Sequence, residues 1–406
     1  MFVKFRKVLI WMRDAWLIIG ITISFFLLIE IVLSIAFHYR DAEKKAIKQG
    51  EYRASADTYQ NADWPKKFYE EYLESNKNRW LSYVGWRRKP YQGQFINIDS
   101  NGCRKTWSSN FGREDKGIRP TIFFFGGSTM WGTGARDDFT IPSIIAKRLA
   151  KNGINTQIIN FGGVGFLSTQ GVILLIRELQ KGNIPDLVIF YDGVNDTYTA
   201  YQQQIAGHPQ NESDRPRRRT ATDLLLSLAN KLSIERFIFS TKRFIKGVFS
   251  ERPPVLNRRN EEALANDVLN IYEKNIEIVK SLAEHYSFKA LFYWQPTIFE
   301  KKHLTKYEEE EKRRGLDMQP FYDMTYGLLR RRDFTKNGET GFHDLSMLLS
   351  DLPEPLFVDW CHLGETGNDY IAEKLIIDAI SIMAGRLSVE QGAAPDRFPA
   401  PLQSGM

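Results

Sequence analysis

Thr121-Ile122-Phe123-Phe124-Phe125-Gly126-Gly127-Ser128 is the stretch that decides how this chain folds. After Thr121 the run is apolar without alternation, the pattern of a strand buried on both faces in a parallel sheet. Two glycines then break the strand and open a turn that leaves the Ser128 hydroxyl at the sheet edge. Working outward, Thr156–Phe161 reads as a second strand, Asp186–Tyr191 as a third, Lys289–Trp294 as a fourth and Pro355–Val358 as a short last one. Helical patterns over Ile141–Ala150, Gln170–Gln180, Glu261–His285 and Gly364–Ala384 separate or follow them. Such alternation implies right-handed crossovers and an α/β fold, a parallel sheet with helices on both faces. Ligands of such sheets bind outside the carboxyl ends of the strands. Ser128, Gly165, Asn195 and the Asp359–His362 pair all fall just past predicted strand ends.

A serine hydroxyl becomes a useful nucleophile when a neighbouring base takes its proton. The chain has six histidines. His38 adjoins an apolar segment, His208 lies in an interruption of the alternation, and His285 ends a helix. His303 and His343 lie in polar segments. His362 alone follows a strand end with a carboxylate, Asp359, three residues earlier. Asp359 on the same turn can accept from one imidazole nitrogen and leave the other for Ser128, the general logic of hydroxyl–imidazole–carboxylate triads.

Four segments occur in order: Gly126-Gly127-Ser128, Asn160-Phe161-Gly162-Gly163-Val164-Gly165, Gly193-Val194-Asn195-Asp196 and Asp359-Trp360-Cys361-His362. Their order and spacing resemble the SGNH (GDSL-like) hydrolases, in a membrane-anchored bacterial branch. The resemblance covers roughly residues 119–200 and 286–385. It implies a three-layer, flavodoxin-like fold and metal-independent hydrolysis or transfer of ester-linked acyl groups. It also implies an oxyanion hole from the backbone N–H groups of Ser128 and Gly165 and the side-chain amide of Asn195. Gly162 and Gly163 are read as serving the turn only. The first segment departs from the family pattern, with Gly-Gly-Ser-Thr where Gly-Asp-Ser-Leu is usual. Gln295, after the fourth strand, is a candidate for lining the pocket, a strand-ending turn being the other reading.

Elsewhere the chain supplies setting rather than chemistry. Of 406 residues 43% are hydrophobic and 26% charged, enough apolar material for a sizeable core. A net charge of +6 spread over 55 basic and 49 acidic residues does not point to nucleic acid. No phosphate loop, Cys/His metal cluster or dinucleotide fingerprint occurs, so no cofactor or metal is expected. Residues 15–37 are apolar apart from Thr, Ser and Glu30; as a helix they reach about 34 Å, enough to cross a bilayer. Lys4, Arg6, Lys7 and Arg13 precede the span, so the positive-inside rule leaves the N-terminus cytoplasmic and the catalytic part periplasmic or extracellular. Glu30 is either a protonated or snorkelling side chain or a contact with another membrane protein. Cys103 and Cys361 are expected to be unpaired.

The expected organisation is an N-terminus and anchor over 1–40 and a stalk and β-hairpin cap over 41–118. A hydrolase-like domain follows over 119–385, with a helical insertion at about 201–260, and a disordered tail over 386–406. The expected function is a membrane-anchored, exported serine esterase that removes O-acyl, most often O-acetyl, groups from an envelope or secreted polysaccharide. The alternatives are an O-acyltransferase using the same groups and a non-catalytic scaffold of a polysaccharide assembly complex.

Overall fold

A computed structural model of the chain describes residues 2–48, 51–60, 62–108, 119–210, 258–334 and 341–390. They divide into two units. What is described of the first is helix α1 (Phe2–Lys48). Within it Trp11–Ile35, 25 residues of mean hydropathy 2.6, is long and apolar enough to cross a membrane. Its large side chains face outward, Trp16 at 70% exposure among them. The helix runs on through residues 41–48, which the sequence assigns to a stalk.

The second unit holds everything described from residue 51 onward. It opens with a single turn, α2 (Glu51–Ala54), and α3 (Pro65–Glu74). The expected cap is two antiparallel hairpins, β1 (Asn78–Leu81) with β2 (Gly85–Arg88) and β3 (Tyr91–Gln92) with β4 (Asn97–Ile98). The second hairpin joins the main sheet through bridges from Ile98 to Arg104 and from Arg104 to Asn160.

The α/β part follows as β5 (Thr121–Gly126), α4 (Ser128–Trp131), α5 (Ile141–Lys151), β6 (Gln157–Asn160), α6 (Ser168–Gln180) and β7 (Leu187–Asp192). It continues with α7 (Val194–Gln203), α8 (Arg258–Tyr286), β8 (Lys289–Trp294), α9 (Lys306–Arg314), α10 (Gln319–Arg331), β9 (Phe342–Asp344) and α11 (Glu365–Glu390). The five strands are parallel in the order β6-β5-β7-β8-β9. Counted along the chain this is 2-1-3-4-5, the flavodoxin-like doubly wound order. Ser128, the Gly162–Gly165 loop and Asn195 follow β5, β6 and β7, the three strands flanking the point where the winding reverses. That crevice is where such sheets place ligands.

The apolar runs explain the centre of the sheet, since every residue of β7 and all but the first of β5 are buried. Phe161, Phe125, Phe190 and Phe292 stack in sequence across neighbouring strands at 4.8–5.4 Å between centroids. Helices α5 and α11 pack together against one side, and α6 and α8 cover the other.

Two expectations need correction. The last strand is Phe342–Asp344, which carries His343, and not 355–358. The latter segment is apolar and extended, but the amides of Leu356 and Phe357 donate to the buried Glu308 carboxylate at 2.9 and 3.1 Å. Val358 N–H donates to the His362 carbonyl and its own carbonyl accepts from Tyr307. With its backbone satisfied this way, the segment has no ladder to offer a neighbouring strand. The tail assigned to 386–406 begins as helix, α11 running to Glu390, and its remainder lies outside the described residues. So do residues 211–257 of the insertion, whose end is the start of α8.

Candidate active site

Ser128 opens α4, so its N–H is one of the amides a helix leaves without an internal acceptor. Gly126 has φ +153°, and a side chain there would meet the Tyr191 carbonyl at 2.4 Å. At Gly127 a Cβ would lie 2.2 Å from Asn195 Nδ2. The glycine pair therefore lets the Ser128 turn and the Asn195 amide come together.

Ser128 Oγ lies 2.6 Å from His362 Nε2. His362 Nδ1 lies 2.7 and 2.9 Å from the two Asp359 oxygens. The backbone N–H groups of Cys361 and His362 also donate to Asp359 Oδ1, at 3.0 and 2.8 Å, which closes the Asp-x-x-His turn on its own carboxylate. The three side chains expected to meet thus do so.

A fourth group was not anticipated. Arg53, on α2, places a guanidinium nitrogen 2.8 Å from Asp359 Oδ2. Burial alone would favour the neutral acid at Asp359. His362, Arg53 and the turn amides outweigh it and hold the carboxyl well below the usual carboxylate range. No local motif signals this contact, because its partners lie at opposite ends of the second unit's sequence.

The remaining expected donors are close by. Gly165 has φ +76°, a left-handed conformation suited to glycine. Neither its N–H nor that of Ser128 has an acceptor among the described residues. Asn195 Nδ2 donates to the Phe166 carbonyl at 2.8 Å, which fixes the amide and leaves its second N–H to spend. The buried Asn160 links the loop to the serine turn, accepting from Gly162 N–H and donating to the Met130 carbonyl, both at 2.9 Å. Gly163 N–H returns to the Gly126 carbonyl. Gln295 behaves differently. It is 2% exposed and its amide donates to the Tyr191 carbonyl, so it presents no face to a substrate.

The N-terminal segment braces this arrangement from behind. Ala56, Tyr59, Phe68, Tyr69, Ile96 and Ile98 form a second apolar cluster around Trp131 and Val358, which flank the serine turn and the Asp359 turn. Arg87 donates to the carbonyls of Phe161 and Gly162, at 2.7 and 3.0 Å. Arg104, paired with Asp137 at 2.8 Å, donates to the carbonyl of Gly132 at 2.7 Å.

Both cysteines are free and buried. Asp359, Cys361 and His362 have ligand-capable atoms within 4.8 Å of one another. Their donors are already committed, however. Asp359 serves Arg53, His362 and two backbone amides, and burial holds the Cys361 thiol protonated. A cation would have to displace a guanidinium.

The family model for GDSL-like lipase/acylhydrolases matches residues 122–375, and the chain belongs to that family. It is therefore a serine ester hydrolase of the SGNH type. Similar solved structures include the acetyl xylan esterase AlAXEase, at 15% identity over 63% of this chain and 97% of that one, TM-score 0.34. The acetylxylan esterase Axe2 from Geobacillus stearothermophilus is 12% identical over 66% and 95%, TM-score 0.32. A lipase/acylhydrolase from Enterococcus faecalis is 12% identical over 69% and 100%, TM-score 0.33. No curated protein matches the sequence.

Proposed function

We propose that this protein is a membrane-anchored, exported serine esterase that removes O-acetyl groups from an envelope or secreted polysaccharide, with Ser128, His362 and Asp359 as its catalytic residues. The observation that carries the chemistry is the unbroken series Ser128 Oγ–His362 Nε2–Asp359, with contacts of 2.6 and 2.7 Å. His362 takes the hydroxyl proton as Ser128 attacks the ester carbonyl, and Asp359 stabilises the imidazolium. The oxyanion is met by the N–H groups of Ser128 and Gly165 and the free N–H of Asn195. Expulsion of the sugar alkoxide, protonated by His362, leaves an acetyl-Ser128 ester. A water deprotonated by His362 then releases acetate. Export and anchoring are supported by the apolar span and the basic residues before it. The polysaccharide is the substrate class that this setting and the family's acyl-ester chemistry support.

The test is p-nitrophenyl acetate hydrolysis by the full-length protein in detergent. Ser128→Ala and His362→Ala should each lose about 10³-fold or more. Activity unchanged in either variant would overturn the assignment. Acetyl release that requires an acceptor sugar would point to transfer instead.

A further inference from the structure

Beside the Gly162–Gly165 loop lies a cavity of about 390 Å³ whose walls include Asn78, Trp86, Arg87, Arg88, Gly163 and Gln210. It abuts the oxyanion side of the site, because Gln210 Oε1 occupies the space 2.6 Å from where a Gly165 Cβ would stand. Two arginines in one cavity wall would ordinarily be balanced by carboxylates. Among the described residues none lines this cavity, and the partners of Arg87 and Arg88 are carbonyls, a thiol and a hydroxyl, with no carboxylate.

Both guanidinium groups are buried, at 2% and 5% exposure, and incompletely satisfied. Arg88 Nη1 reaches the Tyr72 carbonyl and Ser75 Oγ, while its Nε and Nη2 have no partner. Arg87 Nε has none either. Arg88 is also sandwiched on the rings of Tyr72 and Trp131, at 4.7 and 4.5 Å. Stacking fixes the plane of the fork but supplies no acceptor. Buried N–H groups without acceptors and buried charge without a counter-charge are both costly. The unpartnered nitrogens themselves lie beneath the cavity surface, so what the cavity senses is the uncompensated positive charge of the two groups, which favours an anion there. Half-buried Trp86, packed edge-to-face with Trp80, completes that wall.

We infer that this cavity is a subsite for an anionic substituent, a uronate carboxylate or a sugar phosphate, on the glycan that carries the ester. The inference rests on the esterase reading for its place in catalysis, but the binding itself is separable. A sugar whose ester is held at Gly165 would send a neighbouring charged unit into the Arg87–Arg88 cavity.

The experiment is calorimetric titration of the full-length protein in neutral detergent with trigalacturonic acid, glucose 6-phosphate and, as the uncharged control, xylotriose. At least one anion should bind, more weakly as salt rises, and xylotriose should not. Whichever anion binds identifies the carboxylate or the phosphate as the source. Asn78→Asp places a like charge on the exposed rim without touching the core, and Arg88→Gln removes one of the two positive charges. Each should weaken anion binding by about 10-fold. Failure of both anions to bind, equal binding of xylotriose, or undiminished affinity in Asn78→Asp would overturn the inference. None of these sugars carries an ester, so a negative result leaves the esterase reading standing, and loss of that reading leaves this test intact.

Discussion

Replacing Arg53 by glutamine isolates the contact that lies outside the four motif segments. Asp359 would keep its bonds to the Cys361 and His362 amides and to His362 Nδ1, and lose one charge-assisted bond from a side chain 22% exposed. Such a bond contributes about 1.5–3 kcal/mol, so Tm should fall by about 5 °C. The kinetic effect has the opposite character. The Arg53 nitrogen is 2.8 Å from Asp359 Oδ2, and His362 Nδ1 is 2.7 Å from the same atom, so the two nitrogens are at most about 5.5 Å apart. Two unit charges at that distance repel by about 0.8–3 kcal/mol for effective dielectrics between about 80 and 20. Arg53 therefore opposes the imidazolium that forms during acyl transfer. Removing it should raise kcat/KM by about 10-fold, the lower half of that range. The assay is p-nitrophenyl acetate hydrolysis at fixed pH, with calorimetric melting on the same samples. Arg53→Lys, which keeps the charge but not the fork, should keep the original rate and recover only part of the lost Tm. A glutamine variant with unchanged Tm and an unchanged rate would refute the reasoning, because an arginine in contact with Asp359 could not be so silent.

Other substitutions probe the surroundings. Gly127→Ala adds a Cβ where the Asn195 amide sits, 2.2 Å away, and the side-chain end can yield. Its kcat should fall by about 10²-fold, the cost of one oxyanion donor, with far less loss of Tm; a full-rate variant would remove Asn195 from the mechanism. Lys301 and Glu308 form a fully buried pair at 2.6 Å, and Glu308 also holds the amides leading to Asp359. Lys301→Met should cost about 3–5 kcal/mol, roughly 10 °C in melting temperature. Asp192 is buried with both oxygens unpartnered, and burial followed by Asp196 pushes its carboxyl well up. The folded state thus holds a proton that the unfolded chain releases above about pH 4, so stability falls as pH rises past that point. Asp192→Asn should flatten that decline, seen as Tm against pH. Cys103, its thiol raised to about 11 by burial, and Cys361, also pushed well up by burial, should resist maleimide until the protein is denatured.

The parts of the fold that could be read from sequence are those whose signal is local and strong. Thr121–Phe125, Asp186–Tyr191 and Lys289–Trp294 are apolar without alternation because strands at the centre of a parallel sheet meet helices on both faces. The Asp359–His362 pair was legible because three residues of one turn hold it. Strand β9 was not, being three residues long with two of them polar at a sheet edge, whereas 355–358 has a strand's composition without a place in the sheet. Gln295 stayed between two readings in the sequence because position after a strand says nothing about which way a side chain is spent. Arg53, Arg87 and Arg104 were invisible for a different reason. Each acts on backbone or carboxylate groups brought near only by the finished fold, and an arginine in a polar segment looks like surface.

The aromatic cluster behind the site sets a condition on the order in which the protein can be completed. Tyr59, Phe68 and Tyr69 are made early, while Val358 and Asp359, against which that corner closes, are made near the end. At about 5–20 residues per second, the roughly 300 intervening residues take some 15–60 s to synthesise. For that interval the early aromatics lack their last partners, and the chain has reason to depend on a holding factor or on fast partial collapse around Trp131.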